Sequence, residues 1–160
     1  MKVLVDADAC PAKNEIVMVC KRHEVVPIFV ANKAIPALSH SPDARMEVVA
    51  GDFDAADDWL IAQAQPGDLI LTADLLLAQR AARQEVDAMN FSGAALTDDV
   101  IHDLVARRNI QQHLREMNIP CEQPVPYNNK SRSRLKAGLH EWLERHRGSS
   151  GRAVPGKRGG

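Results

Sequence analysis

The chain has 160 residues, 45% of them hydrophobic and 4% aromatic, with a formal net charge of −1. That is enough for one domain with an aliphatic core, and no apolar run nears the ~20 residues that cross a bilayer. Three scattered cysteines, Cys10, Cys20 and Cys121, form no C-x-x-C pair, which excludes a disulfide scaffold or zinc finger; with no signal-peptide pattern at the start, a reduced, cytoplasmic chain is expected.

The near-neutral total hides a split. Residues 1–100 carry 16 acidic and 8 basic side chains, and residues 101–160 carry 5 and 12. A carboxylate-rich half beside a cationic half suits a metal centre flanked by a surface for a polyanion, although a solvated face and a basic tail give the same count.

In chain order, "KVLVDAD" reads as a buried parallel strand, with Cys10 and Pro11 opening the helix "AKNEIVMVCKRH". "VVPIFVAN" is a second strand that starts at Pro27 or lies near an edge. Residues 33–45, with two prolines and no periodicity, read as a loop, and "MEVVAG" as a third strand. "DFDAADDWLIAQAQPGD" is a helix capped by Asp52 or Asp54 and stopped at Pro66-Gly67. "LILT" is the fourth strand, and Asp74 opens the helix "LLLAQRAARQ".

"VDAMNFSG" holds a short fifth strand. A helix capped by Thr97, Asp98 or Asp99 then runs to a break at Ile119-Pro120. After a loop over 121–130, "SRSRLKAGLHEWLERH" forms an amphipathic helix with the stripe Leu135, Leu139, Trp142 and Leu143. The domain is expected over 1–147, with a disordered basic tail over 148–160.

Strand and helix alternate, so the expected architecture is α/β with a mainly parallel sheet of four or five strands flanked by helices. In such sheets ligands sit beyond the carboxyl ends of the strands, at the switch point. "DAD", "DAADD" and "TAD" all fall at strand-to-helix junctions on that edge, and Asp6, Asp8 and Asp74 converge there if strands one and four are neighbours. Each acid alone is explained as a cap, worth ~1 kcal/mol. Together, grouped carboxylates raise one another's pKa, and a hard cation such as Mg²⁺ or Mn²⁺ neutralises them best. Such an ion activates water and stabilises in-line phosphoryl displacement. Asp54, Asp57 and Asp58 stand at i, i+3, i+4, so they can share a helix face.

The motifs "VDADACP", "GDFDAADDWLIAQAQPGDLILTADLLLA", "RRNIQQHLREMNI" and "PVPYNNKSRSRLKAGL" resemble the YaiI/YqxD family of bacterial proteins over roughly residues 2–145. The resemblance implies a PIN-type nuclease domain, in which a few acids bind Mg²⁺ or Mn²⁺ and RNA is cut. Carried over, Asp6 matches the first acid and Asp74 the late one. The middle acid is Asp57 or Asp54, with Asp58 a weaker match, and Asp8 belongs to the family's own opening. PIN domains often place Glu in the middle position, where this chain has the shorter Asp. On this reading Asp6, Asp57 and Asp74 are catalytic metal ligands supported by Asp8 and Asp54. Arg107, Arg108, Arg115, Lys130, Arg132 and Arg134 are candidate phosphate contacts.

Two other classes compete. One is a non-catalytic RNA- or protein-binding module on the same fold. The other is a small-molecule phosphatase, which "DxD" after a strand suggests but which the order of the later acidic motifs opposes. Cys10 at a helix start is read as a cap or a packed thiol. The six histidines show no ligand-spaced pair near an acid, and Thr72, Asn32 and Asn90 near strand ends are read as backbone partners or as groups that orient a water or a phosphate.

Overall fold

A computed structural model describes residues 1–52, 54–121 and 125–153, with side chains described up to residue 146. Five strands, β1 (Val3–Asp6), β2 (Ile28–Ala31), β3 (Arg45–Val48), β4 (Leu69–Leu71) and β5 (Asp87–Met89), form one sheet in the order β3-β2-β1-β4-β5. Every neighbouring pair is parallel. The α/β expectation therefore holds. The chain builds outward from β1 to β3, then returns to the other side of β1 for β4, so the switch point lies between β1 and β4.

Helices connect the strands: α1 (Lys13–Arg22), the short α2 (Pro36–Ser39), α3 (Ala55–Gln63) and α4 (Leu75–Arg83), followed by α5 (Asp98–Glu116) and α6 (Asn129–Ala153). Strand periodicity divides the core. Val3, Val5, Leu69 and Leu71 face one layer with Ile16 and Cys20 of α1 and Leu135, Leu139 and Leu143 of α6. Leu4 and Ile70 face the other with Leu60 of α3 and Leu77, Ala78 and Ala81 of α4. By the same alternation Asp6 shares the face of Leu4, the side on which α3 and α4 pack.

Several expected boundaries move. Cys10 does not cap α1: a 3-10 turn over Ala7–Ala9 follows β1, Cys10 closes it by donating its N–H to the Ala7 carbonyl, and α1 starts after Ala12. Pro11, which lacks an N–H, occupies the bend between them. Pro27 precedes β2 directly, but β2 is an inner strand between β3 and β1 rather than an edge. The expected loop at 33–45 contains α2, begun by Pro36 in the helix position that needs no donor. α5 stops before Ile119-Pro120 because Asn118 takes a left-handed conformation (φ 58°) and Ile119 N–H returns to the Leu114 carbonyl. The α6 backbone continues through Ala153, past the expected domain end at 147; residues 154–160 of the expected tail, and 122–124 of the expected loop, lie outside the described residues.

α6 is fastened at both layers of its path. It packs along α1, and Trp142 Nε1 donates to Asp87 Oδ2 of β5 at 2.9 Å. Near its start, backbone meets backbone: a Cβ on Gly138 would stand 2.5 Å from the Gly93 carbonyl oxygen, and one on Gly93 (φ +80°) would stand 2.3 Å from the Arg134 carbonyl oxygen. Gly138→Ala would raise intrinsic helix propensity. It is nevertheless expected to destabilise the protein by about 1–3 kcal/mol through overpacking against rigid backbone, read as a lower midpoint in urea. A neutral or stabilised Gly138→Ala would mean that α6 moves off the β5 loop at little cost.

Candidate active site

The acids expected at the carboxyl edge of the sheet meet there. Asp6 is the last residue of β1 and is 9% exposed. Because Val5 pairs with Leu71, Thr72 follows in register beside Asp6, and its hydroxyl donates to Asp6 Oδ2 at 2.9 Å. The same Oγ1 accepts the Asp74 N–H at 3.0 Å, so one fully buried threonine joins the two strand ends. Asp74 caps α4, its Oδ1 accepting from Leu76 N at 2.9 Å and Leu77 N at 3.3 Å. Capping and membership of the site are thus not alternatives for this residue.

Asp8 lies in the 3-10 turn and accepts from Asn32 N at 3.3 Å, which ties the end of β2 to the cluster. Asp54 occupies the cap position of α3 without a side-chain cap bond; Asp52 instead accepts the Asp54 N–H at 3.2 Å. Asp57, in the first turn of α3, faces the others. Asp58, the next residue, pairs with Arg80 at 3.0 Å at the rim of the same cleft. Asp6, Asp8, Asp54, Asp57, Asp58 and Asp74 line one cleft of about 700 Å³, with Arg80 as its cation and Asn32 at its wall.

The electrostatics follow from this crowding. Burial pushes the Asp6 carboxyl up; the Thr72 hydrogen bond opposes it, and Asp8 and Asp74 push it further. Burial is also the main cause for Asp57, which is pushed up to about 6 with the help of Asp6, Asp74 and Asp54 and against Arg80. Arg80 was not singled out in the sequence; its signal was its place six residues after the Asp74 cap, on the helix that Asp74 opens. Thr72, read only as a backbone partner or a group that orients a water or a phosphate, is the bridge between two of the acids.

The donor set is all carboxylate oxygen, which suits a hard cation. Among the described residues, however, no three of these aspartates bring one oxygen each within 4.8 Å of one another. An ion held by these carboxylates would take part of its coordination from water, as Mg²⁺ commonly does.

A second cleft, of about 630 Å³, opens beside the first, and Ala9 and Ala73 line both. Arg107, Arg108 and Arg115 of α5 line it, and none of the three forms an ion pair among the described residues. Its opposite wall includes Asn90 and Tyr127. Asn90 Oδ1 is occupied by Ser92 N and Ala94 N at 2.9 and 3.0 Å, and the Tyr127 hydroxyl donates to the Phe91 carbonyl at 2.7 Å. Arg132 sits over the Tyr127 ring, 5.5 Å from its centroid, and lines a separate hollow with Cys10. Lys130 and Arg134, also expected as phosphate contacts, are exposed on α6 and line neither main cleft. Cys10 is packed in the core, and burial raises its thiol to about 11, which disfavours the thiolate.

The expectation that no histidines pair near an acid is wrong. His140 and Glu144 stand four apart on α6, and His23 at the end of α1 meets them; one donor atom from each lies within 4.8 Å of the others. The i, i+4 spacing was visible in the sequence, whereas the third residue is supplied by packing.

An all-parallel α/β domain with an acidic cleft at its switch point and a cationic cleft adjoining it is the class of protein defined here. The chain belongs to the family described as "Uncharacterized BCR, YaiI/YqxD family", whose model matches residues 4–145. It is 34% identical over 144 residues to a UPF0178 protein of Rhodospirillum rubrum, covering 90% of this chain and 96% of the relative. It is 36% identical over 137 residues to UPF0178 proteins of Brucella ovis and Brucella abortus, covering 86% of this chain and 85% of each relative. No solved structure matches it significantly. No helix among the described residues is long and apolar enough to cross a membrane.

Proposed function

We propose that this protein is a Mg²⁺- or Mn²⁺-dependent hydrolase of phosphodiesters, with single-stranded RNA as its substrate. The observation that carries the reading is the juxtaposition of the two clefts: six aspartates, one of them paired with Arg80, adjoin across Ala9 and Ala73 three arginines that form no ion pair among the described residues. An acidic cleft alone repels a phosphodiester, and a basic one alone only binds it; side by side they suit a cation at the scissile phosphate and a bound flanking strand.

Asp6, Asp57 and Asp74 would hold the ion, with Asp8 and Asp54 supporting. When bound, the ion supplies positive charge for the phosphoryl oxygens and lowers the pKa of water. Thr72 fixes the Asp6 oxygen and the Asp74 backbone, so these two ligands come pre-positioned. The reaction forms one bond from a water oxygen to phosphorus and breaks one phosphorus–ester oxygen bond. It leaves a phosphate monoester and a hydroxyl, and no side-chain nucleophile is needed. Arg107, Arg108 and Arg115, which line the second cleft, hold the flanking phosphates.

Incubation of labelled single-stranded RNA with the protein in Mn²⁺, Mg²⁺ or EDTA tests the reading. Cleavage confined to the metal-containing samples is the expected result. Binding without cleavage in all three leaves the non-catalytic module, and turnover of a generic phosphate monoester without RNA cleavage leaves the phosphatase. For binding in EDTA, Arg108→Ala and Arg115→Ala should each flatten the slope of log affinity against log salt by about 0.7, the share of one single-strand phosphate contact. Unchanged slopes would take α5 out of the RNA surface.

A further inference from the structure

At the other end of the sheet, away from both clefts, His23 borders a hollow with Lys2, Val25 and Val26, residues that precede β1 and β2. It is 5% exposed and fixed at the end of α1. Its Nε2 lies 2.9 Å from His140 Nδ1, one ring donating to the other, and its Nδ1 lies 3.7 Å from Glu144 Oε1. Glu144 is 62% exposed on its side chain, so the cluster has one buried anchor and an open flank.

We propose that His23, His140 and Glu144 form a second metal site, selective for a borderline divalent transition ion such as Zn²⁺ or Ni²⁺ rather than for Mg²⁺. Two imidazoles and one carboxylate match the donors that those ions prefer and Mg²⁺ does not. Three protein donors with an open flank leave room for water as a further ligand. With bonds of about 2.1 Å, nitrogens as close as these would subtend about 90° at an ion. That is a usual cis angle for Ni²⁺, and Zn²⁺ needs only a modest parting of the rings toward a tetrahedral angle. One His23 nitrogen faces the ion, so the side chains that must adjust are the exposed ones: His140 and Glu144 ride on the surface of α6, whereas His23 is held by the core. An ion here would clamp α6 onto the end of α1, and α6 is the helix that carries Arg132 toward Tyr127.

The test is equilibrium dialysis of Zn²⁺ and Ni²⁺ against the full chain, with thermal unfolding in parallel. About one tight equivalent is expected, accompanied by a rise in Tm of roughly 5 °C at saturating ion. His140→Ala should weaken it by about a hundredfold and Glu144→Gln by about tenfold. The Asp74→Asn protein should bind as wild type, which separates this site from the acidic cleft. His40, His102 and His113 remain in every variant and report adventitious surface binding. Absence of a tight equivalent, or one that persists in a folded His140→Ala protein, overturns the site, as does one lost in Asp74→Asn instead.

Discussion

Asp6→Asn is expected to abolish cleavage and, at the same time, to make the protein more stable at neutral pH. Asp6 is nearly buried, and burial is the largest cause holding its carboxyl above the ordinary range, with Asp8 and Asp74 adding to it. The native state therefore favours an uncharged group at this position. An asparagine keeps the shape, and its Oδ1 still accepts the Thr72 hydroxyl. The gain is read as a rise in Tm at neutral pH. Cleavage should fall by at least on the order of 10²–10³, as for loss of one preorganised electrostatic partner. Asp74→Asn should lose activity similarly with its helix intact, because Asn caps as well as Asp. Activity retained in either variant would remove that residue from the mechanism. Activity lost together with a lowered Tm would recast Asp6 as a structural group. Stability given up for a charged cluster is the expected signature of a functional site.

Asp57 sets the pH dependence. Its carboxyl is pushed up to about 6 from an ordinary 3.8. Between those values the native state holds a proton that the unfolded chain has released. The stabilising contribution is therefore fully present below about pH 4 and disappears as pH rises through about 6. Solvent screening of this partly exposed group limits it to about 1 kcal/mol or less. Asp57→Asn should flatten that segment of the stability profile and raise Tm slightly at pH 7. A cation must displace the same proton, so Mn²⁺ should bind about tenfold more weakly at pH 5 than at pH 7, with proton release near pH 6. Calorimetric titrations in two buffers of different ionisation enthalpy measure both effects. Affinity unchanged from pH 5 to 7 would place Asp57 outside the ion's contacts.

The strands and their order of appearance were legible because a buried parallel sheet writes itself as short aliphatic runs ended by acids. "KVLVDAD" covers β1 with one residue before it and two beyond, and "LILT" runs one residue past β4. The convergence of Asp6 and Asp74 was conditional on those strands being neighbours, a tertiary fact that periodicity does not encode. Local hydrogen bonding decided what the sequence could not. The 3-10 turn after β1 displaced Cys10 from the helix start, and the left-handed Asn118 stopped α5 ahead of the proline. Arg80 escaped notice, and Thr72 was noticed without its bridging role, because a lone arginine or threonine has no pattern; each matters only through the acid beside it. His23 shows the same limit, since it is 117 residues from its partner His140.

The strand that carries Asp6 is made first and buried deepest. It lies between β2 and β4, and its bond to Thr72 spans 66 residues of chain. During synthesis at roughly 5–20 residues per second, one edge of β1 therefore stays unpaired for several seconds. An aliphatic strand with an open edge is a template for intermolecular pairing. The window in which a nascent chain most needs shielding thus closes when β4 leaves the ribosome, which is also when Thr72 reaches Asp6.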